Sequence, residues 1–201
     1  MIYNILIIGA TGVGKSSLLN KICKQEFASI GHKAYSETSD IESYPLTTKI
    51  TIWDSPGLGE QTIQDKKYKK KLKKILLQEH MIDLILIVID INNKSISTTI
   101  DLINFIKNIN SKYTDRFLFI LNKVDEAKHS RYWEDEDSKP SKNQYQYIES
   151  AITDYKKRIE ESTNIKIQLF LNCSAEKEYN IHTISNSLYS YILSKYFEVE
   201  S

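Results

Sequence analysis

Four short runs hold residue types whose spacing can do chemistry together. Gly9-Ala10-Thr11-Gly12-Val13-Gly14-Lys15-Ser16 fits G-x-x-x-x-G-K-[ST], where glycines let successive backbone N–H groups converge on phosphate oxygens. A helix starting at the end of such a run adds its positive N-terminal dipole. Gly9, Thr11, Gly12, Val13, Gly14, Lys15, Ser16 and Ser17 would then surround a polyphosphate, with Lys15 on the outer phosphates and the Ser16 hydroxyl on Mg²⁺. Asp54-Ser55-Pro56-Gly57 offers a carboxylate able to hold Mg²⁺ through water, and the Gly57 N–H for the terminal phosphate. The same tetrapeptide is also ordinary turn chemistry. In Asn122-Lys123-Val124-Asp125 the carboxylate can accept two hydrogen bonds. Guanine presents N1–H and an exocyclic amine side by side and adenine presents neither, so Asp125 selects guanine by being left unpaired against ATP. Lys123 lies along the base and Asn122 braces the loop. Ser174-Ala175, uninformative alone, offers a backbone N–H to guanine O6.

For these runs to meet, each must end a strand at the same edge of one sheet, where ligands bind open α/β sheets. Short apolar runs alternating with longer amphipathic ones fit a mainly parallel sheet. Strands are expected at 2–8, 38–44, 49–53, 84–89, 117–121 and 167–171, the polar second one at an edge. Helices are expected at 17–24, at 97–109, 144–161 and 181–197, and under the stripe Tyr68, Leu72, Ile75, Leu76. A polar insertion runs from about 126 to 143. Residues 1–201 then make one domain, with nothing left over for a second.

Ile, Leu, Val and Phe account for 57 of 201 residues, or 28%, enough for a sizeable core. With 27 basic against 26 acidic residues, a global polycation that coats nucleic acid or lipid is excluded, though a local patch is not. Two cysteines, Cys23 and Cys173, make neither a disulfide framework nor a four-cysteine zinc site. No run is long enough for a membrane span, and no signal-peptide or lipidation pattern stands out. The expectation is a cytoplasmic protein.

In motif order and spacing over its whole length, the sequence resembles the P-loop GTPases. Asp-x-Pro-Gly and the Lys15-Ser16-Ser17-Leu18-Leu19-Asn20 helix resemble their Era-like branch. A narrower likeness is to the prophage-associated YfjP/YkfA type. It rests on Gly-Ala-Thr-Gly-Val-Gly-Lys-Ser, Glu37-Thr38 before Asp40-Ile41-Glu42-Ser43-Tyr44, Trp53-Asp54-Ser55-Pro56-Gly57-Leu58-Gly59, and Arg131-Tyr132-Trp133 within the insertion. The resemblance implies a six-stranded G domain with helices on both faces, and Mg²⁺ with GTP or GDP as ligand. It implies Thr38 as the switch threonine, its hydroxyl joining Ser16 and Asp54 around the metal. Lys15, Thr38 and Gly57 would act on the terminal phosphate. Thr47 and Thr48 are rivals set too close to the next strand to move freely. The sequence departs from relatives in three places: Gly12 replaces the asparagine that binds potassium in many Era-like proteins, Leu58 replaces the Ras-like glutamine, and no arginine falls in switch I. Slow hydrolysis is therefore expected, with an activator or a second copy across the nucleotide face supplying the rest. The chain acts either as a timed switch on a partner or as a GTP-dependent dimerising scaffold with little hydrolysis.

Lys66, Lys67, Lys69, Lys70, Lys71, Lys73 and Lys74 form either a solvated helix face or a basic face for RNA (a ribosomal particle included), anionic lipid or an acidic partner. Trp133 either caps the nucleotide edge or packs under the insertion. The acidic run Glu134-Asp135-Glu136-Asp137 is a solvated insertion, a docking loop, or a loose partner for the lysines. Cys23 and Cys173 read as small buried groups.

Overall fold

A computed structural model of the chain describes residues 2–24, 41–59, 63–78, 82–127, 133–134 and 139–199. Thr38, Arg131, Tyr132 and most of the acidic run lie outside them. Strands β1 (Tyr3–Gly9), β2 (Glu42–Thr47), β3 (Ile50–Asp54), β4 (Leu84–Asp90) and β5 (Phe117–Asn122) precede a two-residue ribbon, β6 (Trp133–Glu134) and β7 (Lys139–Pro140), and a last strand, β8 (Phe170–Asn172). The helices are α1 (Lys15–Cys23), α2 (Ile63–Leu76), α3 (Ser97–Ile109), α4 (Lys142–Thr163) and α5 (Ile181–Val199). The six-stranded sheet runs β2-β3-β1-β4-β5-β8, parallel except for the β2–β3 hairpin.

Period-two alternation sorts the buried strand residues onto two faces. Ile5 and Ile7 of β1, with Leu84, Leu86 and Val88 of β4, face α1 and α5. Leu6 and Ile8, with Ile85, Ile87 and Ile89, face α2, α3 and α4. The stripes read from the sequence supply the helical side. Tyr68, Leu72 and Leu76 are buried under α2, and Ile184, Leu188 and Ile192 under α5. Each fully buried Ile or Leu contributes about 1.5–3 kcal/mol, which fixes the sheet that carries the site. Among the described residues no helix is long and apolar enough to cross a membrane.

Several expected boundaries shift. The edge strand, expected at 38–44, runs to Thr47, because it forms a hairpin with β3 through a turn at Thr48 and Lys49; positions 38–40 lie outside the described residues. Pro45 is tolerated there: an edge strand leaves one side without ladder bonds, and the register slips between Pro45 and Thr47. β8 shortens to Phe170–Asn172, and Ile167 joins the core outside any strand. The insertion contains the β6–β7 ribbon, and α4 begins inside its expected end, capped by the Ser141 hydroxyl, which accepts from the Gln144 N–H at 3.4 Å.

Candidate nucleotide site

All four runs reach the carboxyl edge of the sheet. β1 and β3 are neighbours with Ile7 opposite Asp54, so the glycine-rich loop after β1 and the carboxylate ending β3 lie side by side. Asp90 of β4 stands opposite Asn122 of β5, and Leu121 opposite Asn172 of β8.

The loop turns into α1 at Gly14, whose φ of +87° is left-handed. A Cβ there would lie 2.4 Å from the Asn122 Nδ2, so glycine is required both by the turn and by the approach. Lys15 is buried and donates to the Gly9 and Ala10 carbonyls at 3.3 and 3.1 Å. Burial lowers its ammonium to about 8, against the opposing pull of Asp54. The Ser16 hydroxyl donates to Asp54 Oδ2 at 3.0 Å. Asp54 is fully buried, and burial pushes its carboxyl above the ordinary range, although Lys15, Ser16 and the Ser55 N–H each pull it down. Two oxygen donors at hydrogen-bond distance, one a buried carboxylate short of positive charge, suit a hard divalent cation such as Mg²⁺.

Beyond Asp54 the chain folds back over the loop. Thr11 donates its N–H to the Leu58 carbonyl at 2.9 Å, and Leu58 donates to the Gly9 carbonyl at 3.3 Å. A Cβ on Gly57 would meet the Thr11 Cα at 2.5 Å. Leu58 is buried at 3% exposure, so the side chain standing where Ras-like relatives have glutamine points into the core.

Asn122 ties three loops together. Its Nδ2 donates to the Val13 carbonyl at 2.9 Å. Its Oδ1 accepts the Ala175 N–H at 3.2 Å and the Cys173 thiol at 3.3 Å. Of the two backbone N–H groups of Ser174-Ala175, one of which is expected to meet the base, that of Ala175 is given to this brace. Lys123 takes a left-handed conformation and pairs with Asp90 at 3.0 Å. The Ser174 N–H is held by the Tyr179 carbonyl at 3.2 Å, and its hydroxyl accepts from Lys177. Three buried oxygens around this edge, Thr11 Oγ1, Asp125 Oδ1 and Gln144 Oε1, find no partner among the described residues, the first two on the motif residues themselves. Buried polar atoms are nearly always paired, so a ligand with a donor for Asp125 fits, as guanine has.

Sequence reasoning missed several participants. Asp90 carries a weak signal, an acid ending a buried apolar run. Gln144, which donates to the Val124 carbonyl at 2.8 Å from the first turn of α4, carries none. Trp133 packs rather than caps: it is buried and edge-on to Tyr179, with ring centroids 5.4 Å apart, and so supports the Ser174 loop.

Comparison with known proteins agrees with this geometry. The chain is 30% identical over 179 residues to mouse interferon-gamma-inducible GTPase 10, covering 86% of this chain and 39% of that one. It is 26% identical over 130 residues to GTPase Era of Buchnera aphidicola, covering 63% and 43%. The chain thus spans less than half the length of these relatives. A probable GTP-binding protein engB superposes with a TM-score of 0.67 at 17% identity, covering 95% of this chain and 99% of that one. Residues 4–123 match the MMR_HSR1 family, described as 50S ribosome-binding GTPase, and the chain belongs to that P-loop GTPase family.

Proposed function

We propose that the chain binds GTP and GDP with Mg²⁺ and hydrolyses GTP slowly, as a nucleotide-controlled switch on a partner. The observation that carries this reading is the Asn122 brace, which holds the phosphate loop and both base loops around the unpaired Asp125 oxygen. The reaction is in-line attack of water on the γ-phosphorus, breaking its bond to the β–γ bridging oxygen and leaving GDP and inorganic phosphate. Ser16 and Asp54 would hold Mg²⁺, which neutralises phosphate charge when bound. The Lys15 ammonium leaves the Gly9 and Ala10 carbonyls for phosphate oxygens, and the loop N–H groups hold the rest. Gly57 contributes its N–H at the terminal phosphate, and Thr38 closes from switch I.

Leu58 orients no water and no arginine precedes it in switch I, so turnover by the chain alone falls near 10⁻⁴ to 10⁻² per second, roughly the range of a GTPase without an activator. An activator, or a second copy across the nucleotide face, supplies the missing charge. A GTP-dependent dimer with little hydrolysis is the second reading, favoured by the same inward Leu58. Within the family we assign the chain to the YfjP/YkfA type on its Arg131-Tyr132-Trp133 run. Phosphate release from GTP and ATP, with Lys15→Ala as control, tests the main reading. Slow, GTP-only, Lys15-dependent release supports it, and tight guanine-nucleotide binding without release refutes the enzyme.

A further inference from the structure

α2 concentrates positive charge that the rest of the chain opposes. It carries seven lysines and one acid, Asp65, a formal +6 in a chain of +1, so the remainder is −5. Two of the lysines are used internally: Lys69 lies over the Phe105 ring at 5.7 Å, and Lys71 has an interaction within the molecule. Lys66, Lys67, Lys70, Lys73 and Lys74 are exposed, and none pairs with an acid among the described residues. Four i,i+4 and four i,i+3 lysine pairs on one helix repel one another. Solubility alone is met by mixing signs, so the repulsion calls for a polyanion.

The second observation concerns what flanks the lysines. Ile63 and Leu77 are 75% and 58% exposed. Leu77 continues the helical spiral, donating to the Lys73 carbonyl at 3.0 Å. At 100° per residue, Ile63, Lys70 and Leu77, seven apart, share one outward line. The face is therefore a lysine comb about 20 Å long with a large apolar side chain at each end.

We propose that this face docks on an anionic lipid bilayer, lysines on headgroups and Ile63 and Leu77 inserted at the interface. RNA meets the same lysines but leaves both apolar side chains in water, and α2 has no arginine and no exposed aromatic to engage bases. The proposal goes beyond nucleotide binding and does not need hydrolysis.

The test is sedimentation of the full chain, loaded with GDP, on vesicles of phosphatidylcholine alone or mixed with phosphatidylglycerol. Binding is expected on the mixed vesicles only and falls as salt rises. Lys70→Ser should weaken it about fivefold. Ile63→Ser with Leu77→Ser should weaken it about tenfold or more at unchanged charge, with GDP binding retained. Absence of binding to anionic vesicles, an unaffected Ile63/Leu77 variant, or retention of homopolymeric RNA without vesicle binding would each overturn the proposal.

Discussion

Removing the Asn122 side chain separates three loops in one step. In Asn122→Ala the Val13 carbonyl and the Ala175 N–H, both buried, lose their partners at 2.9 and 3.2 Å, and the Cys173 thiol loses a weak one. An orphaned buried backbone group costs roughly 1–3 kcal/mol, so the two together amount to roughly 2–6 kcal/mol. That is a large share of the 5–15 kcal/mol (roughly) that holds a domain folded. The assay is urea unfolding without nucleotide and across a GDP series. Wild type should gain about 2.7 kcal/mol when GDP reaches 100 times its Kd. The variant should start lower, at unchanged m, and need far more GDP for the same gain, because the ligand no longer finds phosphate and base loops held in register. A stability loss under about 1 kcal/mol, or an unchanged GDP requirement, would refute the brace.

Three further outcomes follow from close contacts and burial. Gly57→Ala drives a Cβ to 2.5 Å from the Thr11 backbone; with Gly57 donating to the terminal phosphate as proposed, its displacement should slow GTP hydrolysis about 100-fold, while GDP affinity, read by fluorescent-nucleotide displacement, changes little. Trp133→Ala removes a buried indole perpendicular to the Tyr179 ring and should destabilise by about 3–5 kcal/mol; Trp133→Phe, which keeps an aromatic ring against Tyr179, should restore most of the guanine affinity that the alanine loses. Burial pushes the Cys23 thiol from 9.0 up to about 11, leaving about 100-fold less thiolate at pH 8 than a free thiol. Its alkylation rate should keep rising tenfold per pH unit past pH 9, and a plateau near 9 would contradict the burial.

The chemistry was legible because each motif is punctuated by strand ends. Asn122 closes a continuous apolar run and Asp54 an alternating one, so both read as strand ends, and the β1–β3 pairing then brings Asp54 beside the glycine-rich loop. What holds the motifs in place was not legible. Gln144 and Tyr179 act across 20 or more residues through single contacts, and no local pattern encodes such a partner; Trp133 stood out in the sequence, but its partner Tyr179 did not. The edge strand was misjudged for a related reason. β2 gains its structure from pairing with β3, and its own pattern, broken by Pro45, carries too little periodicity to fix its ends.

The inward turn of Leu58 joins the two halves of the site in a single argument. A residue facing solvent there would leave the Gly57 backbone free to move. Here its N–H and carbonyl are both spent on the glycine-rich loop, and its side chain is held in the core beneath α2 with Tyr68 and Leu72. A shift of Gly57 toward a terminal phosphate would therefore strain Leu58 and the core it shares with Tyr68 and Leu72 of α2. If Gly57 meets the terminal phosphate as proposed, the loop after β3 and the helix that bears the lysine comb are coupled through the Leu58 side chain. Cutting that link by Leu58→Ser should leave GDP affinity near its original value while making the protease susceptibility of α2 the same with GDP and with a GTP analogue. A nucleotide-dependent difference that survives in the variant would mean the coupling runs through another path.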